Sequence, residues 1–148
     1  MTEHDFQVNI VNTLKMQNIS CFSVTNGQSL LSKIPYRQRF FMMSYLKREG
    51  LYTGASDLIV VNKGKVYFVE VKAPTEYTVS KKTGKRIISK AGGKQSDAQK
   101  KFQAEIEAEG LPYVLIDSHK TFEEFLNTLK NKSNYGEFAT IKKGEINK

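Results

Sequence analysis

The chain has 148 residues, 39% of them hydrophobic and 26% charged, with a formal net charge of +8. That length suits one domain with a single core, and no apolar run approaches the roughly 20 residues that span a bilayer. The one cysteine, Cys21, leaves no intramolecular disulfide, no His/Cys spacing suggests a zinc site, and Glu3, His4 and Asp5 are unlike the basic opening of a signal peptide. An intracellular, cytoplasmic protein with no membrane segment is expected. The charge is uneven. Residues 72–101 carry nine basic and two acidic side chains, whereas residues 102–129 carry one basic and six acidic. A diffuse excess of lysine serves solubility, but an excess gathered in one segment favours a polyanion, and nucleic acid is the commonest.

In chain order, Thr2 caps a first helix from about Glu3 to Gln17, with Asp5 three residues on in a variant of the capping box. Phe6, Ile10 and Leu14, with Val11, give it an apolar stripe. Glu3 lies in its first turn, where a carboxylate complements the helix dipole. Residues 19–25 alternate as a half-buried strand does, and Asn26-Gly27 breaks it. Pro35 sits in the first turn of a second helix running to Glu49 and ending at Gly50. Its aromatic and methionine residues Phe40, Phe41 and Met43, with Leu46, read as core. Arg37, Arg39, Lys47 and Arg48 read as its solvated faces.

Residues 54–72 then form a hairpin, two β-branched runs about a turn at Lys63-Gly64. A two-residue loop pairs residues whose numbers sum to 127, so Asp57 lies opposite Glu70. Alternation puts Lys72 on the same face. A bulge at Gly64 would shift this register by one. Like charges directly opposed are destabilising by themselves, so the pair suggests a site for a divalent cation. Pro74 ends the strand. The segment 73–94 reads as an insertion: Thr75–Val79 and Arg86–Ile88 flank a lysine-rich tip in a second, protruding hairpin, and Gly92-Gly93 supplies a flexible hinge. Lys81, Lys82, Lys85, Arg86, Lys90 and Lys94 are its candidate nucleic-acid contacts, against the plainer reading of a solvated loop.

Ser96 caps a helix running to Glu109 and stopping at Gly110. Ala98, Phe102 and Ile106 mark its buried side, and Gln99 adjoins that stripe. Tyr113–Ile116 is a buried strand by composition. Thr121 with Glu124 reads as a capping box for a last helix whose inner face is Phe122, Phe125, Leu126 and Leu129. The domain therefore spans 1–130, and 131–148 is a lysine-rich tail. The whole is an α/β domain: a small mixed sheet, its hairpin strands central, flanked by helices.

Phosphodiester hydrolysis by in-line attack of water needs a metal ion, carboxylates to hold it, and a cation to offset the developing charge. Asp57 and Glu70 supply oxygen ligands suited to Mg²⁺ or Mn²⁺, with the backbone carbonyl of Val71 between them. Lys72 can position the attacking water or neutralise the phosphorane. Taken alone, a Glu-X-Lys in a strand is usually a solvated face. Specificity comes from the combination of aspartate, opposed glutamate, lysine and adjacent basic loop.

Asp57, then thirteen residues on Glu70-Val71-Lys72, resembles the PD-(D/E)xK nuclease superfamily, whose core has the order αβββαβ. The closer likeness is to its VRR-NUC branch, and it covers most of residues 3–129. It is carried by Glu3 with Gln7, Arg48-Glu49-Gly50-Leu51, Gly54-Ala55-Ser56-Asp57-Leu58, Glu70-Val71-Lys72-Ala73-Pro74, Ser96-Asp97-Ala98-Gln99 and Gly110. The resemblance implies that Asp57, Glu70 and the Val71 carbonyl bind the metal and that Lys72 is catalytic. It makes Gln99 the second-helix glutamine of the site and Glu3 a first-helix carboxylate that reaches it. It further implies a homodimer acting on branched DNA such as four-way junctions, in a host cytoplasm if phage-encoded. Ser56 departs from the superfamily's proline, the 73–94 insertion is longer than the usual link, and Gln95 is a second glutamine near the same helix start. Two rival expectations stand beside the DNA endonuclease. One is a non-catalytic nucleic-acid-binding module on the same fold, and the other an interaction domain working through acidic residues 102–129.

Overall fold

A computed structural model describes residues 1–24 and 31–131. Helix α1 (Glu3–Met16) starts at Thr2, whose hydroxyl accepts from the Asp5 N–H while the Asp5 carboxylate accepts from the Thr2 N–H. Two donors that a helix start leaves open are thereby satisfied. Phe6, Ile10 and Leu14 are buried. Strand β1 (Ser20–Ser23) is shorter than the alternation predicts, and the Asn26-Gly27 break lies outside the described residues, as does the tail from 132.

Helix α2 (Tyr36–Arg48) begins one residue later than predicted, with Pro35 at its cap position. Its expected core stripe is a correction. No residue of α2 is fully buried, and Phe40 and Phe41 point to solvent. The helix sits at the periphery, so only a narrow arc faces the domain: Arg39, Met43 and Leu46, at i, i+4 and i+7, are its half-buried side. Arg39 is tied there by bonds to the carbonyls of Ile34 at 2.8 Å and Ser32 at 3.2 Å.

Strands β2 (Leu58–Asn62) and β3 (Lys65–Val71) pair antiparallel from Leu58 opposite Val69 to Asn62 opposite Lys65. The register is the predicted one. Lys63 at φ 48° and Gly64 at φ 72° form a two-residue turn with both φ positive, the geometry that matches strand twist. The turn also serves α4 (His119–Lys130): Asn62 Nδ2 donates to the Leu129 carbonyl at 2.8 Å and Lys63 Nζ to that of Lys130 at 3.1 Å. Carbonyls that a helix end leaves open are thus bonded.

Strand β6 (Tyr113–Ile116) runs parallel to β3, and the sheet order is β1-β2-β3-β6. The hairpin is central. Leu58, Val60, Tyr67, Val69, Val71 and Ile116 form one core with Phe6, Ile10 and Leu14 of α1 and Phe122, Phe125 and Leu129 of α4. On the other face, Phe68 meets Phe102 of α3 (Asp97–Ala108) edge to face, centroids 5.9 Å apart. Helices therefore flank both sides of a small mixed α/β sheet. Within that frame the order is α1-β1-β2-β3-α3-β6-α4. Helix α2 enters between β1 and β2, and β4 (Glu76–Val79) with β5 (Arg86–Lys90) forms a separate antiparallel hairpin between β3 and α3.

The cap of α4 is Ser118, not Thr121. Thr121 N–H donates to Ser118 Oγ at 3.2 Å, so the helix starts three residues earlier than the Thr121–Glu124 spacing suggests. Glu124 instead lies 3.9 Å from Lys120. Among the described residues, no helix is long and apolar enough to cross a membrane.

Entry into β2 passes under α3 at Gly54, φ 89°, where a Cβ would lie 2.5 Å from the Ala98 carbonyl carbon and 2.8 Å from the Gln99 nitrogen. Gly84 has a similar φ of 65° but open space around it. Gly84→Ala should therefore cost only the left-handed backbone, about 1 kcal/mol. Gly54→Ala adds a clash of two backbones and should cost about 3 kcal/mol or more. Urea unfolding of both variants checks the contrast, and equal losses would contradict it.

Candidate active site

Glu70 sits on the α3 face of β3, between Phe68 and Lys72, and is fully buried. Burial of a carboxylate is costly unless donors meet it. Two do. Lys72 Nζ lies 2.6 Å from Glu70 Oε1, and Gln99 Nε2 donates to the same oxygen. Glu70 Oε2 is buried with no hydrogen-bond donor among the described residues, although the Asp57 carboxyl is in side-chain hydrogen-bonding contact with Glu70.

Asp57 lies one residue before β2, opposite Glu70 by the extrapolated register. Its Oδ2 accepts from the Val71 N–H at 2.8 Å. In a strand the N–H and C=O of one residue point the same way, so the Val71 carbonyl also faces the Asp57 side. Ser56, where the resembled family has proline, is buried, with its hydroxyl 3.4 Å from the Leu58 carbonyl.

Gln99 is positioned by its own helix start. Ser96 Oγ accepts from the Gln99 N–H at 3.3 Å, and Gln99 Oε1 accepts from the Ser96 N–H at 2.8 Å. The amide nitrogen is then left for Glu70. Gln95, four residues earlier, takes a different role: its Nε2 donates to Gln103 Oε1 at 3.1 Å and to the Tyr113 hydroxyl at 3.3 Å. The choice between the two glutamines is thereby resolved in favour of Gln99.

Glu3, Asp57, Lys72 and Gln99 line one cavity of about 310 Å³, walled also by Met43 of α2 and by Thr53, Gly54, Ser96 and Ala98. Three helices, α1, α2 and α3, thus converge on the end of the central hairpin. Sequence reasoning gave Gly92-Gly93 the role of a hinge, and the structure makes it a tight crossing instead. Gly93 N–H donates to the Ala73 carbonyl at 2.9 Å, and a Cβ on Gly93 would lie 3.2 Å from Lys72 Cδ and 3.4 Å from Glu3 Oε2. Gly92 N–H donates to Thr75 Oγ1 at 3.1 Å, so the base of the β4–β5 hairpin is clamped beside Lys72. The one sequence signal was the paired glycine itself.

Lys81, Lys82, Lys85, Arg86, Lys90 and Lys94 are not brought into the cavity. All are exposed on the hairpin and the strap behind it, and the Arg86 guanidinium stacks over the Tyr77 ring at 4.0 Å.

The electrostatics follow from burial. It pushes the Glu70 carboxyl up to about 7, with the Lys72 ammonium opposing and the Asp57 and Glu3 charges adding. Burial also raises Asp57, while the Val71 N–H, Lys72 and a side-chain hydrogen bond with Glu70 pull it down and Glu3 adds to the rise. Burial, with the Glu70 charge next, raises the Tyr113 hydroxyl, which keeps its proton. Among the described residues no group of three or more His, Cys, Asp and Glu side chains is arranged to hold a metal. The donor set on offer is two carboxylates and one carbonyl. That set suits a small hard cation that keeps several waters, as Mg²⁺ does, and the orphaned Glu70 Oε2 is the observation that favours a guest.

Glu70 ordinarily titrates near 4.5 and is raised to about 7 in the fold. Between those values the unfolded chain is ionised while the folded chain keeps its proton, so stability should fall as pH rises from about 4.5 to about 7 and level off above. Glu70→Gln should flatten that slope. Thermal unfolding of the metal-free parent and variant across pH reads this directly. The chain matches no family model, no curated protein and no solved structure.

Proposed function

We propose that the protein is a metal-dependent DNA endonuclease of the PD-(D/E)xK type, closest to the VRR-NUC branch. The observation that carries this reading is the buried Glu70, one oxygen held by Lys72 and Gln99 and the other without a donor among the described residues, directly behind a cavity that Lys72 and Gln99 line together with Asp57 and Glu3. A structural ion pair needs no orphaned oxygen, no second carboxylate and no cavity. The clamped β4–β5 hairpin adds a basic arm beside the site, suited to the phosphate backbone.

Asp57, Glu70 and the Val71 carbonyl would hold Mg²⁺ or Mn²⁺, which supplies polarisation of the phosphoryl oxygen and a lower pKa for attacking water. The chain's own residues do the rest. Gln99 fixes Glu70 from α3, so the carboxylate cannot turn away when its proton leaves. Lys72 is fixed through Glu70 Oε1 and lines the cavity. There it orients the water oxygen that bonds to phosphorus and offsets the negative charge that grows as the ester P–O bond breaks. The water's proton passes to solvent, and the departing oxygen regains one. A branched-DNA substrate and a homodimer belong to the same proposal, from the resemblance.

Branched and linear DNA incubated with and without Mg²⁺ or Mn²⁺ tests the reading. The parent should cut only with metal. Asp57→Ala and Lys72→Ala should lower the rate by about 10²–10³-fold or more. Cleavage unchanged in either variant, or salt-dependent binding with no cleavage at all, would discard it, and the second result would assign a non-catalytic binding module. Metal and proton compete for Glu70, so metal affinity measured by calorimetry should drop about tenfold per pH unit below about 7. A flat profile from pH 8 to pH 5 would rule out Glu70 as a ligand.

A further inference from the structure

Helix α2 is the part of the molecule that neither core nor site explains. It contains Arg37, Arg39, Lys47 and Arg48 and no acidic residue. Tyr36, Phe40, Phe41 and Tyr45 are 85%, 75%, 75% and 52% exposed. A monomer gains nothing by presenting four aromatic rings to water on one helix, and patches of that kind mark binding surfaces. At 100° per residue, Arg37, Phe41, Tyr45 and Arg48 follow one another on a single outward stripe. Phe40 joins it through an edge-to-face contact with Phe41, centroids 6.0 Å apart at 79°. Along the stripe two rings are flanked by a cation at each end.

Three anionic or apolar surfaces can meet such a helix: a membrane, a second copy, or nucleic acid. A helix that lies on a membrane separates its apolar face from its charged one, and here each ring has a basic residue a turn away. An interface between copies is depleted of charge at its centre, yet Arg37 and Arg48 flank Phe41 and Tyr45 directly. Unpaired nucleic acid takes both features at once, rings to stack on exposed bases and cations for the phosphates between them. Duplex bases are already stacked on one another and leave the rings unused. The opposite arc of the same helix walls the candidate active site through Met43, so the stripe and the site are separated by the width of the helix.

We propose that the outward stripe of α2, on the arc of the helix turned away from the candidate site, is a stacking platform for unpaired nucleotides of the bound substrate. This rests on the nuclease reading for its placement but not for its test. The platform selects substrates that carry a single-stranded stretch, and a blunt duplex engages the basic residues alone.

The test uses the full chain without divalent cation, so that binding is read apart from cleavage. The sequence has no tryptophan, so Phe41→Trp introduces a single reporter. Oligo(dT) should quench its emission, and a blunt duplex should not. In parallel, anisotropy with labelled oligo(dT), a blunt duplex and a duplex with a single-stranded arm compares the parent with Phe41→Ala/Tyr45→Ala. The double variant should lose about tenfold or more on the two probes with unpaired bases and less than twofold on the blunt duplex. Arg37→Ala/Arg48→Ala should weaken all three and make binding less salt-dependent.

Absence of quenching by oligo(dT), or equal affinities of parent and double variant for it, overturns the proposal. So does quenching by phosphatidylserine vesicles without quenching by oligo(dT), which assigns the helix to a membrane surface. A dimer lost in the double variant with oligonucleotide binding intact overturns it in favour of a second copy. The two readings fail separately. Stacking without any metal-dependent cleavage discards the nuclease and keeps the platform, whereas efficient cleavage of blunt duplex without stacking does the reverse.

Discussion

Everything at the candidate site depends on the pairing register of the central hairpin, and that register depends on two residues. Lys63 and Gly64 both adopt positive φ, so the loop holds two residues and no more. Side chains alternate with a period of two, and a slip of one would turn every residue to the opposite face. In the observed register Val69 and Val71 enter the α1/α4 core while Glu70 and Lys72 face α3. Slipped by one, a carboxylate and an ammonium would face Phe6, Ile10 and Phe125. The apolar core and the polar cavity therefore enforce the same register from opposite sides of the sheet.

The second constraint is how closely α3 approaches β2. Gly54 lets the helix backbone come within contact of the chain entering the strand. That approach brings Ser96 and Gln99 over the end of the sheet, where Glu70 is buried. A carboxylate with its pKa raised to about 7 is costly to keep ionised. Nothing in the core requires it, since the apolar cluster lies on the other face. The fold carries that cost directly behind a cavity that Lys72 and Gln99, the two partners of Glu70, help to line. Cost without structural benefit is what a functional residue looks like.

Local features were legible in the sequence, and relations between distant segments were less so. The Lys63-Gly64 turn, the Asp57/Glu70 pairing and the β4–β5 hairpin could be read because each follows from turn chemistry and alternation. The orientation of α2 could not, because aromatic residues spread around a helix do not say which arc meets the domain. Composition points Phe40 and Phe41 to the core, whereas of the four apolar residues only Met43 and Leu46 are on the half-buried side, beside Arg39. Two serine or threonine candidates three residues apart, Ser118 and Thr121, offer the same capping chemistry, and only the chain's path selects the first. Gly54 and Gly93 carry no local sign that another segment crosses them. Gln95 and Gln99 differ only by one helical turn, and the cap at Ser96 separates them.

That cap has a wider meaning. Gln99 uses both ends of one amide: its oxygen closes the first turn of α3 and its nitrogen holds Glu70. The orientation of the amide is therefore dictated chemically, since only the NH₂ end can serve a carboxylate and only the oxygen can serve a backbone N–H. Glutamate at this position would repeat the shape and still close the cap, but would set a third negative charge against Glu70 and Asp57. The side chain acts as a strut between the register of the helix and the charge state of the strand. Whatever changes the charge on Glu70 is felt directly at the N-terminus of α3, so the start of that helix reports on the state of the site.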